Sequence, residues 1–275
     1  MKGFHPVKLT ILVDNNTFID KYYLGEPGAS FCIEDDGCQV LLDVGYSSIL
    51  LSNAEKMGID LGKTTHIVLS HGHDDHTQGL PFLKEAVDIS KVKLIAHPAG
   101  FLPKFKEGKY IGGPYSEQEI SEFAEYIPMK EPYFITEKLV YLGEIPRKTD
   151  FENKTPIGQY EENGERKDDY LQEDTALVYK GEKGLFIITG CSHSGICNII
   201  EYAKEVCGTD KVYSVLGGFH LRQDDEQLQK TVEYLQALNL PVIYPCHCVA
   251  QLPRFRMMEK LPVVETGVGM VLELD

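Results

Sequence analysis

Three histidines and two aspartates fall within six residues of LSHGHDDHTQGL (69–80): His71, His73, Asp74, Asp75 and His76. They follow THIVLS (65–70), an apolar run that reads as a buried strand. A polar turn at a strand end can bring three imidazoles and a carboxylate together without distorting a helix. Imidazole and carboxylate are the donors that zinc, iron and manganese accept. His71, His73, Asp75 and His76 are therefore candidate metal ligands, and Asp75 is also a candidate for orienting or accepting a proton. A second chemical segment is IITGCSHSG (187–195), where an apolar run stops at Gly190 and delivers Cys191 and His193 two residues apart. Taken alone, it reads as a cysteine nucleophile with its base, part of a metal site, or a strand-to-helix turn that holds a thiol. A metal cluster already generates hydroxide at neutral pH, so the covalent thiol becomes the minority reading.

The elements that must position these residues are short and alternate between β and α patterns. SFCIE (30–34) and QVLLDVG (39–45), joined through Asp36-Gly37, read as a hairpin. Ser47–Met57 reads as a helix stopped by Gly58, and VKLIAH (92–97) as a strand, with a helix between it and the metal loop. In the second half, TALVYKGEKGLFIITG (175–190) reads as two strands around a turn. Ser194 is expected to cap a helix whose Ile196, Ile199, Ile200, Ala203 and Val206 recur at helical spacing up to Gly208. Then come a strand at 212–216, a helix over 224–239 and a last strand, VIYP (242–245). Two sets of β and α elements point to layered α/β architecture.

Residues 100–167 differ. They carry six prolines and many aromatics with little periodicity, too aromatic for disorder. This stretch is expected to be an ordered insertion that covers the site, in a single domain spanning 1–275. Lys104, Lys106, Lys109 and Arg147 are the cations available to an anionic substrate, and Tyr110 or Tyr115 the rings available for stacking.

The chain has 275 residues, 43% hydrophobic and 25% charged, enough to bury a sizeable core. Its formal charge of −15 argues against a nucleic-acid partner, which calls for a basic footprint. The run Leu9–Val13 is too short for a signal-peptide core or a membrane span. Seven scattered cysteines form no secreted disulfide framework, so reduced thiols in the cytoplasm and a small-molecule substrate are expected. Oligomeric state is not readable.

The motif His-x-His-x-Asp-His after a strand resembles the metallo-β-lactamase superfamily. The resemblance implies an αββα sandwich with the site at one edge of the two sheets, and one or two divalent metal ions, zinc first, with iron or manganese as alternatives. It implies that His71 and His73 bind one metal and the Asp75-His76 pair a second. LLDVG (41–45) resembles the strand ending in Asp-x-Gly beneath the metal loop. PCHC (245–248) matches the place of the last ligand histidine, here His247. GLFIITG (184–190) matches the strand after which an Asp ordinarily bridges the metals; Cys191 stands there instead. His193 is the candidate third imidazole beside His71 and His73, with Asp168, Asp169, Glu173 or Asp174 as its rivals. LVDN (12–15), SHGHDDHTQGL, AHP (96–98), GCSHSGICNII (190–200), GGFHL (217–221) and PCHC together resemble one branch, named after a dihydropterin–ribofuranosylaminobenzene phosphate synthase.

His220 in GGFHL is a candidate for substrate contact, proton transfer or further ligation, against a packed loop histidine. His97 is a weaker candidate, and His66 and His5 read as structural or incidental. Cys246 and Cys248 are expected to point away from His247, as strand neighbours do, and to be small buried residues behind the ligand. The implied activity is hydrolysis of a small molecule by a metal-bound hydroxide. A transferase that condenses an activated dihydropterin with an aryl ribotide phosphate, and an iron-dependent oxygen or redox enzyme, are the alternatives.

Overall fold

A computed structural model describes residues 7–274; His5 lies outside the described residues. Two mixed sheets form the middle of the molecule. The first runs, edge to edge, Val271–Leu274, Val7–Val13, Ser30–Asp35, Cys38–Leu42, His66–Val68, Lys93–Ala96 and Glu125–Pro128. The second runs Tyr244–Pro245, Val212–Gly217, Gly184–Thr189, Ala176–Gly181, Leu139–Tyr141 and Tyr133–Phe134. Alternation sorts their side chains into layers. Phe186 and Ile188 join Leu177, Leu216, Phe31, Val40 and Val68 in the core between the sheets. Leu185 and Ile187 turn the other way, onto Ile196, Ile199, Ile200, Val232 and Leu235 of helices Ile196–Cys207 and Glu226–Leu238. Leu41, Ile67 and Leu94 likewise meet Leu50, Ala54, Leu80 and Leu83 of helices Ile49–Met57 and Leu80–Ala86. Strands buried on both faces read as continuous apolar runs, and the result is the expected αββα sandwich.

The hairpin forms where the sequence places it: Asp36 and Gly37 both have positive φ, 44° and 78°, as a tight two-residue turn requires. Cys38–Leu42, His66–Val68 and Lys93–Ala96 are parallel, as are Gly184–Thr189, Val212–Gly217 and Tyr244–Pro245. Asp43, Ser70, Cys191, His220 and His247 all follow the C-terminal ends of these strands, so the two sheets deliver their loops to one edge.

Some expectations need correction. Ser194 does not cap the helix over 196–207: Gly195 is its N-cap residue, and the Ser194 N–H and Oγ instead donate to Asp174 at 2.8 and 2.6 Å. The helix start is satisfied from a distance, because the carboxylate of Glu152 accepts from the N–H groups of Cys197 (2.9 Å) and Asn198 (3.0 Å). The strand at 242–245 shrinks to Tyr244–Pro245. Within 100–167, Lys104–Lys106, Lys109–Tyr110 and Gly158–Glu162 join Glu165–Asp169 in a separate four-stranded sheet, whereas 125–128, 133–134 and 139–141 complete the two main sheets.

Candidate metal centre

Asp43 anchors the site. Its carboxylate is fully buried and accepts three hydrogen bonds, from Ser70 N–H (2.7 Å), Ser70 Oγ–H (2.7 Å) and His76 Nδ1–H (2.6 Å). These bonds fix two tautomers, since a carboxylate only accepts. His76 carries its proton on Nδ1 and directs a lone pair from Nε2. Ser70 gives its hydrogen to Asp43, so at 2.9 Å it accepts from His71 Nδ1–H and leaves a lone pair on His71 Nε2. On the other side, His247 Nδ1–H donates to Asn15 Oδ1 at 2.8 Å, and its backbone N–H to Asp14 Oδ1 at 2.7 Å. Carboxylates and amides behind imidazoles are the usual means of aiming ligand nitrogens.

The consequence is a cluster of inward-facing donors. His76 Nε2 lies 3.1 Å from His247 Nε2 and 3.3 Å from Cys191 Sγ. The Asp75 carboxylate is 3.7 Å from His76 Nε2 and 3.4 Å from His247 Nε2. Two lone pairs face each other here; the Cys191 S–H can donate to His76 Nε2 alone, whereas a cation between the rings satisfies both. Burial opposes charge on His76, but Asp75 and Asp43 outweigh it and push the imidazole up to about 9. The pocket therefore calls for positive charge at the point where the four donors converge, which is what a divalent ion supplies. Burial also opposes charge on Asp75, yet His76 and His247 more than offset this and hold its carboxyl below the usual carboxylate range.

The second group is His71, His73 and His193. His71 Nε2 is 3.1 Å from His73 Nδ1, and the His193 ring lies 4.7 Å from that of His71 and 5.0 Å from that of His73. Both ring nitrogens of buried His193 lack a hydrogen-bond partner. Burial, helped by the neighbouring imidazoles, pushes His71 and His193 well below their ordinary pKa; His73 falls to about 3, with burial again dominant. All three are thus held neutral, the form that binds metal. Ligand atoms of His71, Cys191 and His193 lie within 4.8 Å of one another, as do those of His76, Cys191 and His247, so Cys191 belongs to both groups. Burial raises its thiol well above the ordinary range, with Cys248 adding to the effect.

Backbone geometry brings the two loop sets together. A Cβ on Gly190 would lie 2.1 Å from Ser70 Oγ and 2.7 Å from Asp43 Oδ2, so only glycine lets the second sheet approach the Asp43 carboxylate. Asp43, Ser192, His220 and His247 have φ of 60°, 56°, 48° and 49°. Such non-glycine residues cost about 1–3 kcal/mol each and gather at functional sites.

The acids weighed against His193 are engaged with other groups. Asp169 and Glu173 pair with Lys104, Asp174 accepts from Ser194, and Asp168 pairs in register with Gln159. Lys104 is no substrate contact: it is 1% exposed, with Nζ 2.7 Å from Asp169 and 2.8 Å from Glu173. Arg147 donates to the carbonyls of Ile145 and Leu171. Lys109 is exposed on its strand, Tyr110 donates to Gly113 O, and Tyr115 packs on Phe123. His97 accepts from Ala99 N–H and faces Glu144 at 3.4 Å, while His66 meets Thr65 Oγ1. Cys246 is buried in the core between the sheets. Cys248 is not behind the ligand; it lines the same cleft as His247, because the left-handed turn at His247 breaks strand alternation.

The donors floor a cleft of about 830 Å³. Asn15, Asn16 and Tyr46 line one part of it, and Lys106, Ile111 and Ile157 come from the 100–167 stretch. Arg222 and Arg254 also line it. Sequence reasoning gave no role to Asn15, Arg222 or Arg254 and placed Cys248 behind the ligand; Asn15 and Cys248 lie inside motifs already marked and Arg222 directly follows one, whereas Arg254 lies six residues past PCHC and leaves no local signal.

Comparison with known proteins agrees with this geometry. A family model described as the metallo-beta-lactamase superfamily matches residues 24–247. The chain belongs to the metallo-β-lactamase superfamily. Among its superfamily relatives, an uncharacterized protein of Methanocaldococcus jannaschii is 35% identical over 92% of this chain and 93% of its own. The 7,8-dihydropterin-6-methyl-4-(beta-D-ribofuranosyl)-aminobenzene-5'-phosphate synthase of the same organism is 30% identical, covering 88% of this chain and 87% of that protein. A crystal structure of a metal-dependent hydrolase of the β-lactamase superfamily superposes with a TM-score of 0.82 at 28% identity, over 97% of this chain and 98% of that one. Among the described residues no helix is long and apolar enough to cross a membrane.

Proposed function

We propose that this superfamily member is a metal-dependent hydrolase acting on a small substrate that carries an anionic group, with zinc as its ion. The observation that carries the reading is the pair of opposed Nε2 lone pairs on His76 and His247, with Asp75 and Cys191 beside them. His71, His73 and His193 would hold one ion, and Asp75, His76, Cys191 and His247 a second. Imidazole, carboxylate and thiolate together suit zinc better than a hard ion such as magnesium. When bound, a divalent ion polarises the scissile group and acidifies water to near neutral pH.

The chain's own groups supply the rest. Asp75 stays ionised, so it orients the attacking water and accepts its proton. His220, whose ring lies 4.3 Å from that of His193 and whose Nδ1 is buried without a partner, faces the same space. Lys106, Arg222 and Arg254 line the cleft without an ion pair to any described residue, an unusual surplus in a chain of charge −15. They draw in and orient an anionic substrate. A single domain is part of this proposal, supported by Lys106, Ile111 and Ile157 of the 100–167 stretch lining the cleft.

The test is a panel of phosphodiesters, phosphomonoesters, lactones and thioesters at neutral pH. Hydrolysis of an anionic member, abolished by chelation and restored by zinc, is expected; activity indifferent to chelation would refute the reading. The 30% identity to the dihydropterin–ribofuranosylaminobenzene phosphate synthase favours a second reading, condensation of an activated dihydropterin with an aryl ribotide phosphate. Condensation of that pair, with the hydrolysis panel inert, would establish it instead.

A further inference from the structure

We infer that Cys248 and His220 join Cys191 in a third donor set, so that the centre binds a thiophilic divalent ion through two thiolates. This rests on the metal-centre reading above and extends it to residues outside the superfamily's ligand pattern. Sγ of Cys191, a ring nitrogen of His220 and Sγ of Cys248 lie within 4.8 Å of one another. Cys248 is held there by the chain. Its Sγ accepts the backbone N–H of His220 at 3.2 Å and lies 3.6 Å from the carbonyl oxygen of Cys191. The left-handed backbone at both His220 (φ 48°) and His247 (φ 49°) turns these loops toward each other. Gly218 leaves the room, since a Cβ there would lie 2.5 Å from Cys248 Sγ. His220 Nδ1 is buried and has no hydrogen-bond partner.

A thiol used only for packing would resemble Cys246, two residues earlier, which is 0% exposed among Phe186, Leu216 and other apolar side chains between the sheets. Cys248 instead lines the cleft beside a second thiol and an imidazole whose Nδ1 has no partner. Two thiolates and an imidazole form a set that zinc and cobalt accept and magnesium does not. A residue that supplies the usual bridging carboxylate offers two oxygens; here the carboxylate is replaced by Cys191, and Cys248 furnishes the additional soft donor.

The test is cobalt reconstitution of the reduced, metal-free full chain, read by sulfur-to-cobalt charge-transfer absorption per chain alongside the metal count. Wild type is expected to show a two-thiolate band. Cys248→Ser and Cys191→Ser should each lower it by about half, a double variant should remove it, and Cys246→Ser should leave it intact. A full band in Cys248→Ser with cobalt bound would overturn this inference and leave the hydrolase reading standing; absence of bound cobalt from wild type would overturn both. Should Cys248→Ser fail to fold, wild-type alkylation mapped by peptide mass decides. Cys248 protected in the zinc-loaded protein and reactive after chelation is expected, and equal reactivity in both states overturns the inference.

Discussion

The substitution Asp43→Asn isolates the group that aims the ligand imidazoles. It keeps the side-chain shape, and Asn tolerates the left-handed backbone at this position (φ 60°). What changes is that one of two acceptor oxygens becomes a donor. If the amide oxygen stays against Ser70 N–H, the NH2 meets His76 Nδ1 and Ser70 Oγ, 2.6 and 2.7 Å from the atom it replaces. The His76 proton must then move to Nε2, onto the face that looks at His247. If the amide flips, its NH2 meets Ser70 N–H, donor against donor. Either arrangement loses a buried pairing worth about 1–3 kcal/mol. Loss of such an orienting partner lowers metal affinity about 10- to 100-fold, or about 1.4–2.7 kcal/mol. Competition for zinc against a chromophoric chelator measures the affinity, and thermal unfolding of the metal-free protein measures the structural cost separately. A variant with wild-type zinc affinity would refute the claim that Asp43 sets the tautomers of His76 and His71.

Lys104→Met should cost about 3–5 kcal/mol, read from denaturant midpoints, because it strands the carboxylates of Asp169 and Glu173 in a buried place. Burial pulls the Lys104 pKa down, but Glu173 and Asp169 more than offset this and raise it. Its ion-pair stabilisation is therefore complete below about 10.5 and is lost only as pH climbs through the raised value; a gap between wild type and variant that closes near neutral pH would contradict this. Gly190→Ala, with its methyl 2.1 Å from Ser70 Oγ, should cost about 1–3 kcal/mol and lower zinc occupancy in elemental analysis. Unchanged occupancy would mean that the two loop sets need not approach so closely. Arg222→Ala and Arg254→Ala should raise KM for an anionic substrate while sparing kcat; equal KM changes for a neutral analogue would remove them from anion binding.

The sequence is most informative where function compresses many donors into a few residues. His71, His73, Asp75 and His76 sit on one turn, and the apolar runs beside 65–70 and 184–190 announce strands buried on both faces. Pairings across long separations are harder to see. His247 meets Asn15 across 232 residues, and Glu152 reaches back to start the helix at 196; neither contact leaves a local trace. Ser194 misleads for the same reason: its sequence position suits a cap, but Asp174 claims its hydroxyl. Cys248 misleads because strand alternation does not survive the left-handed turn at His247. Lys104 looks like a free surface cation until the fold brings Asp169 and Glu173 to it.

The central claim is that donors from two sheets converge on metal ions around Cys191. An anomalous-difference map from a crystal of zinc-loaded protein, collected on both sides of the zinc edge, tests it most directly. A zinc peak bounded by Asp75, His76, Cys191 and His247 is expected. A map without density among those side chains, with zinc bound elsewhere on the chain, would contradict it.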